Sequence, residues 1–140
     1  MMKQVLFYVM AISIAILSGC KEKYDIPTIT APESITVEVT RAVDLTFSFN
    51  ADAGYKSSSM TVTGGTAAIK TDASAGSTNG NIIITFTAGS KAGAGSVTLT
   101  LVDNEDQSQT CTTVINIEAF PTISVSANIT SATTWETDKI

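Results

Sequence analysis

Residues 95–118 read "GSVTLTLVDNEDQSQTCTTVINIE". Val97, Leu99 and Leu101 alternate with Ser96, Thr98 and Thr100. After an acidic run, Cys111, Thr113, Ile115 and Ile117 alternate with Thr112, Val114 and Asn116. A period of two puts successive side chains on opposite faces of a strand, so each run has one side made for burial. The intervening Asp103-Asn104-Glu105-Asp106 is rich in turn formers. The stretch predicts a hairpin.

The same period recurs upstream. Ile35, Val37 and Val39 share one side. Val43, Leu45, Phe47 and Phe49 do the same, leaving Asp44, Thr46 and Ser48 outward. Met60 and Val62 mark a short strand ended by Gly64-Gly65, and Ile82, Ile84 and Phe86 form another. Pro27 and Pro32 sit before or between the first strands, where a missing N–H costs no ladder bond. Helical spacing is absent. About seven short strands over residues 26–118, each with one apolar face, predict an all-β sandwich of two packed antiparallel sheets.

Gly95–Glu118 resembles the closing hairpin of bacterial immunoglobulin-like, PKD and cadherin-like modules, in which an Asp-containing turn joins an alternating strand to a Val/Ile-rich one. The resemblance implies an immunoglobulin-like antiparallel sandwich. The Trp-Asp-Phe-Gly-Asp-Gly signature of PKD domains is missing, as are the paired cysteines and packed tryptophan of antibody-type domains.

At the chain start, Lys3 precedes an apolar run from Val5 to Leu17 that only Ser13 interrupts. A basic start, a short apolar core and small residues at a cut make a secretory signal. A membrane span needs about 20 apolar residues, more than this run supplies. Leu17-Ser18-Gly19-Cys20 resembles the lipobox of bacterial lipoproteins, Leu-[Ala/Ser]-[Gly/Ala]-Cys. That resemblance implies cleavage between Gly19 and Cys20 and a diacylglycerol on the Cys20 thiol, so the membrane becomes a partner through an N-terminal lipid. Lys21-Glu22-Lys23-Tyr24-Asp25 is then a tether. It is similar to the short acidic tag of surface-exported lipoproteins of Bacteroidetes type, although Lys23 interrupts the acids. Outer-membrane anchoring and display at the cell surface follow as expectations.

Glu118-Ala119-Phe120-Pro121 reads as a linker. In the segment after it, Ile123, Val125, Ala127 and Ile129 line one side of a further strand. This tail resembles the lead-in of larger Bacteroidetes surface proteins with repetitive, often β-helical regions. It implies that the 140 residues are the front of a longer product. The expected organisation is therefore a signal peptide over 1–19, a lipidated tether over 20–25, a sandwich over 26–118, and a linker with the start of a further β segment over 119–140.

Composition narrows the function. The chain carries 8 basic and 13 acidic residues. Cleavage removes Lys3 and no acid, so the mature net charge is 7 − 13 = −6. An acidic chain without a basic cluster argues against nucleic acid as a partner. There is no histidine, which removes the commonest general base and zinc ligand. The glycine-rich stretches lack the Gly-Lys-[Ser/Thr] of a phosphate loop, and the acids are scattered over turns and outward positions. No enzymatic role and no cofactor are expected.

Three features remain as candidates. Asp103-Asn104-Glu105-Asp106 is the densest oxygen cluster, but it lacks the spaced pattern of a calcium loop, so it assigns no ligand set. Tyr55 in a loop and Trp135 in the tail could stack on sugar rings. Cys111 reads as a core residue behaving as a small hydrophobe. The expected function is a non-catalytic spacer or interaction module on a surface lipoprotein. The alternative is capture of glycan or protein at the surface, as in polysaccharide uptake or adhesion. A pilin-like subunit that adds strands between neighbours is a third option.

Overall fold

The computed structural model describes residues 23–122. Among these there is no helix, and eight strands form two four-stranded sheets. In chain order they are β1 (Thr28–Thr30), β2 (Ile35–Glu38), β3 (Ala42–Asn50), β4 (Tyr55–Thr63), β5 (Gly65–Thr71), β6 (Asn79–Ala88), β7 (Gly93–Asp103) and β8 (Ser108–Glu118). One sheet has the order β1-β3-β6-β5 and the other β2-β8-β7-β4. This is the two-sheet plan of an immunoglobulin constant-type domain, with its first strand divided between the sheets.

The predicted hairpin is present. β7 and β8 pair antiparallel from Gly93↔Ile117 to Val102↔Ser108. Their inward residues Val97, Leu99, Leu101 and Ile115 are fully buried, facing Leu45, Phe47, Ile82, Ile84 and Phe86 of the other sheet. Alternation explains both faces. The residues between them are mostly threonines, serines and asparagines that stay wet.

The structure corrects the sequence reading in three places. First, β1 and β5 are additional strands. β1 has only three residues, and β5 opens on a glycine and carries Ala67-Ala68, poor strand formers that its neighbour β6 nevertheless holds in register. Second, β2 pairs with β8 in parallel, Ile35↔Ile115 through Glu38↔Glu118, so that sheet is mixed. The chain leaves β1, passes Ala31–Ser34 and changes sheet, which lays β2 alongside β8 in the same direction. Third, Phe120, read as linker, is half-buried and packs against the core.

The two ends of the sandwich differ. At one pole lie the β3–β4 turn, the β5–β6 loop and the β7–β8 turn, tied by Asn104 N–H to the Gly54 carbonyl (3.0 Å) and Tyr55 N–H to the Ser77 carbonyl (2.8 Å). The entering chain joins them there, since the Gln107 side chain donates to the Tyr24 carbonyl (3.2 Å). At the other pole the Thr40 and Gly64 backbones meet Gly89 (3.1 and 2.9 Å), and the chain exits beyond Glu118. Entry and exit are at opposite poles.

Gly64 makes the β4–β5 corner, where the chain changes sheet in one residue. Its φ is +75°, and a Cβ there would lie 2.7 Å from Gly95 Cα. Only glycine combines that backbone with that approach.

Candidate interaction surface

Where the sequence-predicted residues lie decides which of them can act. Gly19, Cys20 and Trp135 fall outside the described residues, as does the strand expected from Ile123 to Ile129. Tyr55 is not in an exposed loop. It opens β4 and is 3% exposed, its ring centroid 5.6 Å from that of Phe49. Its hydroxyl donates to Asp72 Oδ1 (2.6 Å) and also bonds Ser58 Oγ (3.0 Å). Burial and the Asp72 carboxylate raise the Tyr55 phenol above its ordinary value. Tyr55 therefore clips the β5–β6 loop to β4 and offers no face to a sugar. The turn-like Ala51–Gly54 before it disguises the strand start.

The acidic turn is likewise pulled apart. Asp103 is fully buried at the end of β7. Its Oδ1 accepts the backbone N–H groups of Glu105 (2.9 Å) and Gln107 (2.8 Å), building the turn from within. Its Oδ2 has no hydrogen-bond partner. Asp106 adopts φ +61° and pairs with Lys56, and the Asn104 side chain donates to the Ala53 carbonyl (3.0 Å). Among the described residues, no three of His, Cys, Asp and Glu gather as metal ligands. Cys111 is half-buried rather than core, because it sits on β8 before Thr113, the first fully inward position of that strand.

What the strands do bring together is a surface that single-strand patterns could not locate. On the outer face of the β2-β8-β7-β4 sheet, register aligns Ser59, Thr100 and Thr110 in one row and Thr61, Thr98 and Thr112 in the next. Thr63, Ser96 and Val114 make a third row. Thr98 and Thr112 share a hydrogen bond between hydroxyls (2.8 Å), as do Thr63 and Ser96 (2.9 Å). These nine positions contain no charge, and Val114 is 56% exposed among them. Chemically the face is a hydroxyl array with one apolar spot.

The opposite sheet is different. Its outer face carries Asp44, which accepts from Lys70 and from Thr85 Oγ1 (2.6 Å) across three strands. The Lys70 and Thr85 hydrogen bonds hold the Asp44 carboxyl below its ordinary value of 3.8. A depressed carboxyl contributes stability that is present above the unfolded value and is lost as pH falls through the folded one. Lys70→Met is expected to move the Asp44 titration midpoint up toward 3.8 and to flatten the stability profile on the acid side. A carboxyl NMR titration checks this, and an unmoved midpoint would show that Thr85 alone sets it.

No family model matches the sequence, and no curated protein matches it. Solved structures do resemble the fold. The SrpA adhesin of Streptococcus sanguinis superposes with a TM-score of 0.57 at 15% identity, covering 72% of this chain and 61% of that one. Its R347E mutant gives 0.55 at 16%, covering 71% and 60%. A chimeric titin Z1Z2 functionalized with a peptide from decorin gives 0.51 at 19%, covering 70% of this chain and 99% of that one. The chain thus spans about three fifths of the SrpA structures' length. At these identities the likeness establishes the fold, an immunoglobulin-like β-sandwich. A bacterial adhesin and a titin chimera sharing one frame also show that the frame does not choose the task.

Proposed function

We propose that the chain is a lipid-anchored module of the bacterial outer membrane, held through Cys20, whose sandwich is a non-catalytic spacer or interaction domain at the cell surface. The observation that carries this reading is the complete Leu17-Ser18-Gly19-Cys20 box directly after a short apolar run, with a β domain beginning a few residues later. A single acyl chain holds a protein only marginally, whereas two or more make release slow, each buried methylene adding about 0.8 kcal/mol. The opposite placement of entry and exit supports the spacer part, because whatever follows β8 is carried away from the anchored end. The lack of histidine and the dispersal of the acids support the non-catalytic part.

The test is the full-length chain expressed in a Gram-negative host. Cys20→Ala is expected to abolish incorporation of an alkyne fatty acid and to move the protein out of the membrane fraction. Label retained by the Cys20→Ala variant, or unchanged membrane association, would contradict the anchor. Proteolysis of intact cells then reports which face of the outer membrane the domain reaches.

The uncharged hydroxyl face favours a second reading, capture of a neutral surface glycan or protein. Many hydroxyls at strand spacing suit a neutral, hydrogen-bonding ligand better than a charged one. Retention on a panel of neutral polysaccharides tests it, and absence of retention leaves the spacer.

A further inference from the structure

The four edges of the two sheets are not equally protected. A free strand edge is a template for another chain, and proteins blunt it with short strands, charges, prolines or bulges. β1 has three residues, and β2 has four with Pro32 just before it. β5 carries Lys70 and a register shift between Ile69 and Thr71. β4 is the exception. Its register shift lies between Tyr55 and Ser57, at the end where the Tyr55 N–H and carbonyl are already bonded to Ser77 and Gly76. From Ser57 to Thr63 it runs in unbroken register with β7 and contains no charge and no proline. Among the described residues, the backbone of this stretch bonds only to β7, which leaves its other side open. Its inward residues Met60 and Val62 are only half-buried at the seam between the sheets.

We propose that β4 docks onto β4 of a second copy of this chain, the two strands pairing antiparallel about a two-fold axis at Met60. The absence of charge and the matching of small hydroxyl side chains about Met60 suit this occupant. Two-fold pairing sets each residue against its own mirror position, so an edge bearing one sign of charge along it would repel itself, whereas Ser57–Thr63 opposes nothing. With the axis at Met60, Ser57 faces Thr63, Ser59 faces Thr61, Ser58 faces Val62, and the flanking Lys56 falls opposite Gly64. Serine–threonine pairs directly opposed on one face are favourable cross-strand pairs. The rows of hydroxyls on β8, β7 and β4 thereby continue into the second copy, forming one eight-stranded sheet from two four-stranded ones. On the inner side the two Met60 side chains meet at the axis, each with Val62 of the other copy as its diagonal neighbour, and lose apolar surface to each other. An isologous contact of this kind closes at two copies. One strand pair is small beside the ~1,200 Å² of a standard interface, so the association is weak and reversible.

The experiment uses the full chain in its own membranes. Met60→Cys in a Cys111→Ser background places two thiols at the axis, where directly opposed Cβ atoms lie about 4.5–5.5 Å apart, close to disulfide reach. Mild oxidation is expected to give a disulfide dimer at least about tenfold faster than Thr46→Cys, on the outer face of the other sheet, in the same background. Adding Ser59→Lys with Thr61→Lys, which sets like charges against each other, is expected to bring the rate down to that of the control. Adding Ser59→Lys with Thr61→Glu instead sets opposite charges together and is expected to restore it. Equal rates for Met60→Cys and Thr46→Cys would overturn the proposal, as would two charge variants that behave alike. A Met60→Cys chain that stays monomeric, yet gains maleimide reactivity when residues 123–140 are deleted, would show the chain's own tail on β4 and overturn it too. So would a crosslink to a protein of another mass.

Discussion

Tyr55→Ala is expected to destabilise the domain by about 3–5 kcal/mol, the range for removing a buried aromatic side chain. The loss has two parts. The ring leaves a hole beside Phe49, and the hydroxyl no longer holds Asp72 and Ser58, so the β5–β6 loop is left with only its backbone bonds to residue 55. Tyr55→Phe separates them, because it keeps the ring and removes only the hydrogen bonds, for about 1–2 kcal/mol. Single domains are stable by about 5–15 kcal/mol, so the alanine variant sits close to unfolding while the phenylalanine variant does not. Urea denaturation with an unchanged m-value checks both. An alanine variant as stable as the parent would mean that the side chain is not part of the core. The phenol carries a related alkaline signature. Its value is raised, so its contribution is present below about 10 and is lost as pH rises through the folded value.

Gly65→Ala is expected to cost about 3 kcal/mol, at the upper end of the range for forcing an extra methyl into a packed site. A Cβ there would lie 2.2 Å from the Thr87 carbonyl oxygen and 2.8 Å from Phe86 Cζ. The ring can turn aside, but the carbonyl belongs to the backbone of the paired strand and cannot. Phe86→Leu added to Gly65→Ala is therefore expected to recover only a minor part. For a domain of this size the single change lowers the melting temperature by about 12 °C or more, since each kcal/mol shifts it by about 4–8 °C. Gly76→Ala is the contrasting case. Its φ is +80° and nothing lies within 4 Å of the added methyl, so only the left-handed backbone opposes it, at about 1–2 kcal/mol. Calorimetry ranks the two, and a smaller loss at Gly65 than at Gly76 would refute the close-approach argument.

These two residues also mark what is legible in the sequence. Leu45, Phe47 and Phe49 are readable as core because β3 alternates cleanly between an apolar and a polar side, and Ile82, Ile84 and Phe86 because their period of two continues through an apolar run in which only Ile83 breaks the contrast. The outward hydroxyls are readable for the same reason. Their alignment into rows is not, because register between β4, β7 and β8 is set by pairing across the sheet and leaves no local mark. β5 escapes notice because Ala67 and Ala68 give no contrast between faces, and the glycine that begins it also reads as a stop. The parallel run of β2 on β8 depends on where β1 delivers the chain, a tertiary fact. Asp103 misleads for a chemical reason. An acid in a turn usually faces water, yet here two backbone N–H groups hold one oxygen inside. Of the interaction surface, composition is legible and geometry is not.

The parallel pairing of β2 with β8 has a mechanical meaning. The chain enters at one pole and leaves at the other, and both strands point from the first toward the second. Tension applied between the two ends therefore slides β2 lengthwise along β8. The hydrogen bonds from Ile35 to Glu38, with Val39 N–H on the Glu118 carbonyl, carry that load side by side and yield as a group, not one after another.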